Sequence, residues 1–205
     1  MNKSALKKKL AYIPKTVTSA RISLRSEPKL YSEKHIDKHI EQMLKKYNFF
    51  ENDRNAIGSF RNDFVDNGDG TITDRATGLM WQKNGSPRAK SWDRGKIHLI
   101  QLNKDRFAGY LDWRLPTIEE LASLVERRKI NGVHIDPIFD EKQKTCWSSD
   151  TMLTDPAGEL YQTWIVNFAQ GAIKIEDWSK SREKIALHPQ FDANYYIRAV
   201  RSLKE

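Results

Sequence analysis

Phe64-Val65-Asp66-Asn67-Gly68-Asp69-Gly70-Thr71-Ile72-Thr73-Asp74 is two short runs of strand-forming residues around a tetrad that tolerates positive φ. Asn, Asp and above all Gly supply that backbone freedom, so the stretch predicts a tight β-hairpin. Downstream, Thr77-Gly78-Leu79-Met80-Trp81-Gln82 enters the core. A helix follows from about Ser91 to Asn103, capped by Ser91, with Trp92, Leu99 and Leu102 on one face. A second helix starts at Thr117, which forms a capping box with Glu120. Leu121, Leu124 and Val125 are its buried stripe, and Pro116 fixes its approach. From residue 145 the pattern changes to strands. Leu160, Gln162, Trp164, Val166 and Phe168 alternate, which predicts one apolar face. Ala169-Gln170-Gly171 reads as a turn, Gly171 to Asp177 as a returning strand with Ile173 and Ile175 inward, and Tyr195 to Ser202 as the last strand. Hairpin, two helices, then strands is an α+β order, with helices segregated from an antiparallel sheet.

Upstream of the hairpin, Ser32 caps a helix whose stripe is Ile36, Ile40, Met43, Leu44 and Tyr47. Residues 1–30 have no sustained periodicity and are interrupted by Pro14 and Pro28. They read as an irregular arm, with a short extended piece at Ala20-Arg21-Ile22-Ser23-Leu24. The expected organisation is a basic arm over 1–30, a helical leader over 31–58 and a main domain over 59–205. The chain has 205 residues, 39% apolar and 30% charged, and carries a formal charge of +8. Residues 1–30 contribute +7 of that charge, eight basic groups against Glu27, so the body is nearly neutral. No apolar run approaches the roughly 20 residues of a membrane helix, and the run after Lys9 is too short for a signal peptide. A single cysteine, Cys146, excludes an internal disulfide. The expected compartment is the cytoplasm.

Five stretches stand in order: 66–74, 77–82, Gly109-Tyr110-Leu111-Asp112-Trp113-Arg114-Leu115-Pro116-Thr117, Cys146-Trp147-Ser148-Ser149, and Tyr196-Ile197-Arg198-Ala199-Val200-Arg201. Together they resemble the DUF1566, or Lcl C-terminal, domain family over about residues 60–202. The resemblance implies a C-type-lectin-like fold, in which two helices flank a twisted antiparallel sheet and a loop-rich face binds ligand. It carries no general activity, because a fold does not fix a function. The formylglycine-generating enzymes, which share that fold, work through two cysteines, and this chain has one.

Other chemistry is weak. The Asp-rich turn puts Val65 where an EF-hand loop needs its first carboxylate. His35 and His39 lie one helical turn apart but lack a third ligand. Cys146 reads as a buried structural thiol. Trp81, Trp92, Trp113, Trp147 and Trp164 read as core. Trp178 is placed differently, at the head of a polar loop. With Lys180, Arg182, Lys184, His188, Asp192 and Asn194 it forms the expected contact face for a partner protein or small ligand; the alternative is a solvated loop. The expectation is therefore a non-enzymatic binding module without metal or cofactor, whose partner is a separate chain. The rival is a nucleic-acid accessory protein using Lys7, Lys8, Lys9, Arg21 and Arg25.

Overall fold

The turn tetrad adopts the conformation its residues favour, with Gly68 at φ 74° and Gly70 at φ 90°. Its aspartates brace it from within. Asp66 accepts the Gly68 N–H, and Asp69 accepts both the N–H and the hydroxyl of Thr71. The computed structural model of the protein describes residues 22–31, 36–153, 160–179 and 193–203. Its elements are β1 (Leu30–Tyr31), α1 (Ile36–Tyr47), β2 (Phe64–Asp66), β3 (Thr71–Asp74), β4 (Leu79–Gln82), α2 (Trp92–Lys104), α3 (Ile118–Ser123), β5 (Thr145–Leu153), β6 (Leu160–Asn167), β7 (Ala172–Ser179) and β8 (Val200–Ser202). The α+β class holds. Instead of the single sheet expected, the strands of the described residues form two sheets of four, ordered β1-β5-β6-β7 and β2-β3-β4-β8. Among the described residues, the strand pairings are antiparallel except that of β1 with β5.

β6 explains why two layers form. Successive residues of a strand point to opposite faces. Trp164 and Val166 enter a core with Ile40, Met43 and Leu44 of α1 and Leu121 of α3. Ile165 enters a second core with Trp92 and Leu99 of α2, Trp113, Trp147 and Trp178. The strand is thus buried on both sides, whereas alternation alone predicted one apolar face. Tyr31 and the leader's Ile40, Met43, Leu44, Phe49 and Phe50 belong to the first of these cores, with Ile22 and Leu24 packed against it.

Helix ends follow the local chemistry. The Thr117 side chain accepts the Glu120 N–H while Glu120 accepts the Thr117 N–H, which completes the capping box. Ser91 occupies the N-cap of α2 without a side-chain bond. Gly95 lets α2 approach the last part of the chain, because a β-carbon there would lie 2.5 Å from Ile197 Cδ1.

Two strand expectations need correction. Ile175, expected inward, is 38% exposed. β7 is the outer strand of its sheet among the described residues, so cover from the helices runs out there. The last strand is only Val200–Ser202. Tyr195 and Tyr196 instead make isolated bridges to Lys90 and Cys146 and tie the sheets together. At the other end of the described chain, the Ile22 N–H donates to Ala76 O, and the Leu203 N–H donates to Gly78 O. Ile22, expected in a strand with Leu24, lies in no regular element; Ala20 and Arg21 fall outside the described residues.

Candidate functional site

A cleft of about 550 Å³ opens where four separate segments meet. α2 supplies Trp92, Lys96 and Leu99. The segment before α3 supplies Trp113, Arg114 and Leu115. β5 supplies Ser149 and Thr151, and a strap running into β1 supplies Pro28 and Lys29, with Leu30 from β1 itself.

Each wall is fixed by bonds that sequence neighbours cannot make. The Trp92 indole N–H donates to Ser148 O at 2.9 Å. Its ring stacks on Trp178 with centroids 4.6 Å apart. Asn103 at the end of α2 holds the Trp113 backbone from both sides, donating to its carbonyl and accepting its N–H. The Arg114 guanidinium makes a two-pronged ion pair with Glu120 at 2.6 and 2.7 Å. That planar fit fixes orientation as well as charge.

The strap is anchored by Asp150, whose carboxylate is wholly buried. It accepts two bonds from the Arg25 guanidinium, at 2.8 and 2.7 Å, and one each from the Lys29 and Ile118 N–H groups. The Thr151 N–H donates to Lys29 O, and the Thr117 hydroxyl donates to Arg25 O. Tyr31 then meets His39 of α1, its hydroxyl 2.8 Å from Nε2. Burial, followed by the field of Lys29, holds the His39 pKa below its ordinary value.

The electrostatics of the cleft are one-sided. Its lining includes Lys29, Lys96 and Arg114 and no carboxylate, among the described residues. Glu120 neutralises Arg114. The Lys96 ammonium sits 3.8 Å from the Trp92 ring centroid and 3.9 Å from Asp93, and that of Lys29 sits 4.6 Å from the Tyr31 ring centroid. Ser149 is 8% exposed, and among the described residues its hydroxyl has no hydrogen-bond partner. A buried polar group normally finds one.

The expected contact residues fare differently. Trp178 is corrected: it is 3% exposed, sandwiched between Trp92 and Tyr161, with its N–H donated to the Thr163 hydroxyl at 2.7 Å. It backs the cleft wall and is not a surface anchor. Asn194 is exposed. Lys180, Arg182, Lys184, His188 and Asp192 lie outside the described residues, as do Lys7, Lys8, Lys9 and Arg21. Arg25, expected to face nucleic acid, is instead committed to Asp150. The cleft residues Trp92, Lys96, Lys29 and Ser149 were not expected as a site. One signal for them was present: Trp92 and Lys96 stand four apart on a helix, which places an ammonium over an indole.

Cys146 is fully buried, and desolvation pushes its thiol up to about 11. The neighbouring Arg198 acts in the other direction but does not overcome burial. A thiol so placed is not a nucleophile at neutral pH. Among the described residues, no group of three or more His, Cys, Asp or Glu side chains is placed to hold a metal ion. Nor is any described helix long and apolar enough to cross a membrane.

No curated protein and no solved structure matches the chain. The sequence model of the family described as the Lcl C-terminal domain does match, over residues 70–201, which takes in β3, β4, α2, α3, β5 to β7 and most of β8. That span covers well over half of the 205 residues and contains three of the four segments that meet at the cleft, and the chain therefore belongs to the Lcl C-terminal domain family.

Proposed function

We propose that this protein is a binding module and not an enzyme, and that the cleft between α2, β5 and the strap receives a small ligand with an apolar body. The observation that carries this reading is the cleft itself. Its volume lies within the roughly 300–1,000 Å³ of small-molecule sites. Its lining is two indoles and three leucines, with a few polar groups that converge on it. The unpartnered Ser149 hydroxyl gives a ligand something to satisfy. The buried, poorly acidic Cys146 argues against sulfur chemistry.

An NMR titration of the full chain with 1-naphthylacetamide, a neutral bicyclic probe, tests the reading. Shifts concentrated on the Trp92 and Trp113 indole N–H signals and the Ser149 and Thr151 amides are expected. Filling the cleft with Thr151→Trp removes them. Scattered shifts, or shifts that survive the substitution, would refute it.

A further inference from the structure

We infer that the outer face of α2 is a self-pairing surface, on which a second copy of this chain docks with its own α2 antiparallel. The observation behind it is a stripe that the cleft does not use. Asp93, Ile97, Ile100 and Lys104 follow one another at steps of four, three and four. At 3.6 residues per turn they fall within about 60° of arc. Steps of three and four are the spacing of a coiled-coil seam. The cleft residues Trp92, Lys96 and Leu99 lie roughly a quarter-turn away, so the pairing does not depend on the ligand reading.

Ile97 and Ile100 are 65% and 67% exposed. Solvent gives no reason for them there. A β-branched side chain is a weaker helix former than Lys, Glu or Ala, and it leaves apolar surface in water. The charges at the two ends of the stripe say what covers it. Asp93 stands in the first turn of α2 and Lys104 in the last. Asp93 has 45% of its side chain exposed and makes one long contact, to Lys96 at 3.9 Å; Lys104 is exposed. A two-fold axis through the middle of the stripe sets Ile97 against Ile100 of the second copy, and Asp93 against its Lys104. Each contact then occurs twice, as an isologous interface requires. A parallel arrangement sets aspartate on aspartate and lysine on lysine, so the charges select the antiparallel one. It also places the N-terminus of each helix beside the C-terminus of the other, where the dipoles attract. Trp92 and Leu99 already hold α2 in the core, so no helix has to form on docking. One helix pair buries less than the roughly 1,200 Å² of stable interfaces, and the expected dissociation constant is on the order of 100 μM.

Sedimentation equilibrium of the full chain, from about 10 μM to 1 mM at low ionic strength, tests the pairing. A monomer–dimer equilibrium is expected. Ile97→Lys weakens it by about tenfold or more, because two contacts are lost per dimer. Asp93→Lys and Lys104→Glu each weaken it about fivefold by setting like charges face to face, an effect that added salt reduces. The double variant Asp93→Lys/Lys104→Glu restores the opposite pairing and returns to within about twofold of the parent. All these changes are on the outer face of the helix, so urea midpoints should stay near that of the parent. A chain that remains monomeric throughout overturns the inference. So does a dimer indifferent to Ile97→Lys, which forms through another face, or a double variant no better than the single ones, which rules out the antiparallel register.

Discussion

Burying the Trp178 ring between Trp92 and Tyr161 takes a large apolar surface out of water and leaves one polar atom, the indole N–H, which Thr163 accepts. Truncating it leaves a cavity behind Trp92. Trp178→Ala is therefore expected to cost about 3–5 kcal/mol in denaturant unfolding. A loss below about 0.5 kcal/mol, the size of a surface change, would put the ring back on the surface. His39 has a different signature. Its folded pKa lies below the ordinary 6.5, chiefly through burial and then through Lys29 and Arg25, while Glu119 and Asp150 act in the opposite direction. The unfolded chain therefore binds the proton more readily. The resulting stability is present above pH 6.5 and drains away as pH falls from there through the folded value. His98 shifts the same way by burial. His39→Gln keeps an acceptor for the Tyr31 hydroxyl and removes one titration. Urea midpoints measured from pH 7.5 to 5 should fall less steeply in the variant than in the parent. An unchanged slope would show that His39 does not report on folding.

At the scale of elements, the strap is held chiefly through side chains, because β1 is only two residues long. Arg25→Ala strips one partner from a buried carboxylate. Arg25 is itself partly exposed, so the expected cost is toward the lower end for such pairs, about 3 kcal/mol. The same variant should speed hydrogen exchange at the Thr151 amide, which donates to Lys29 O. Unaltered exchange there would mean that the strap is held by something other than Asp150. The elements also divide by what the chain order reveals. The hairpin, the α2 span, the Thr117–Glu120 capping box and the turn after Asn167 are written within a few residues of one another, and local patterning finds them. Arg25 and Asp150 are 125 positions apart, and nothing near either one names the other. The cleft needs four segments in register, so its lysines read as ordinary solvated charges. The Trp178 assignment failed for a related reason. A tryptophan beside a polar run looks like a loop residue until β6 supplies Tyr161 and Thr163 beneath it.

For the whole molecule, two cores share one sheet, and β6 contributes to both. The order of hairpin, helices and strands fixed the α+β class, but the second buried face of β6 depends on α2 arriving from elsewhere in the chain. The two ends of the described chain also converge. Ile22 and Leu203 both bond to the loop that follows β3, on carbonyls only two positions apart. A short flexible tether joining residue 203 to residue 22 would thus bridge neighbours. Breaking the chain at the exposed Asn131-Gly132 turn should give a circular permutant that unfolds cooperatively, near the parent's melting temperature. A permutant lacking a cooperative transition would show that the ends do not meet. By the same geometry, this unit can be spliced as a guest into a loop of an unrelated host, entering and leaving through one narrow gate.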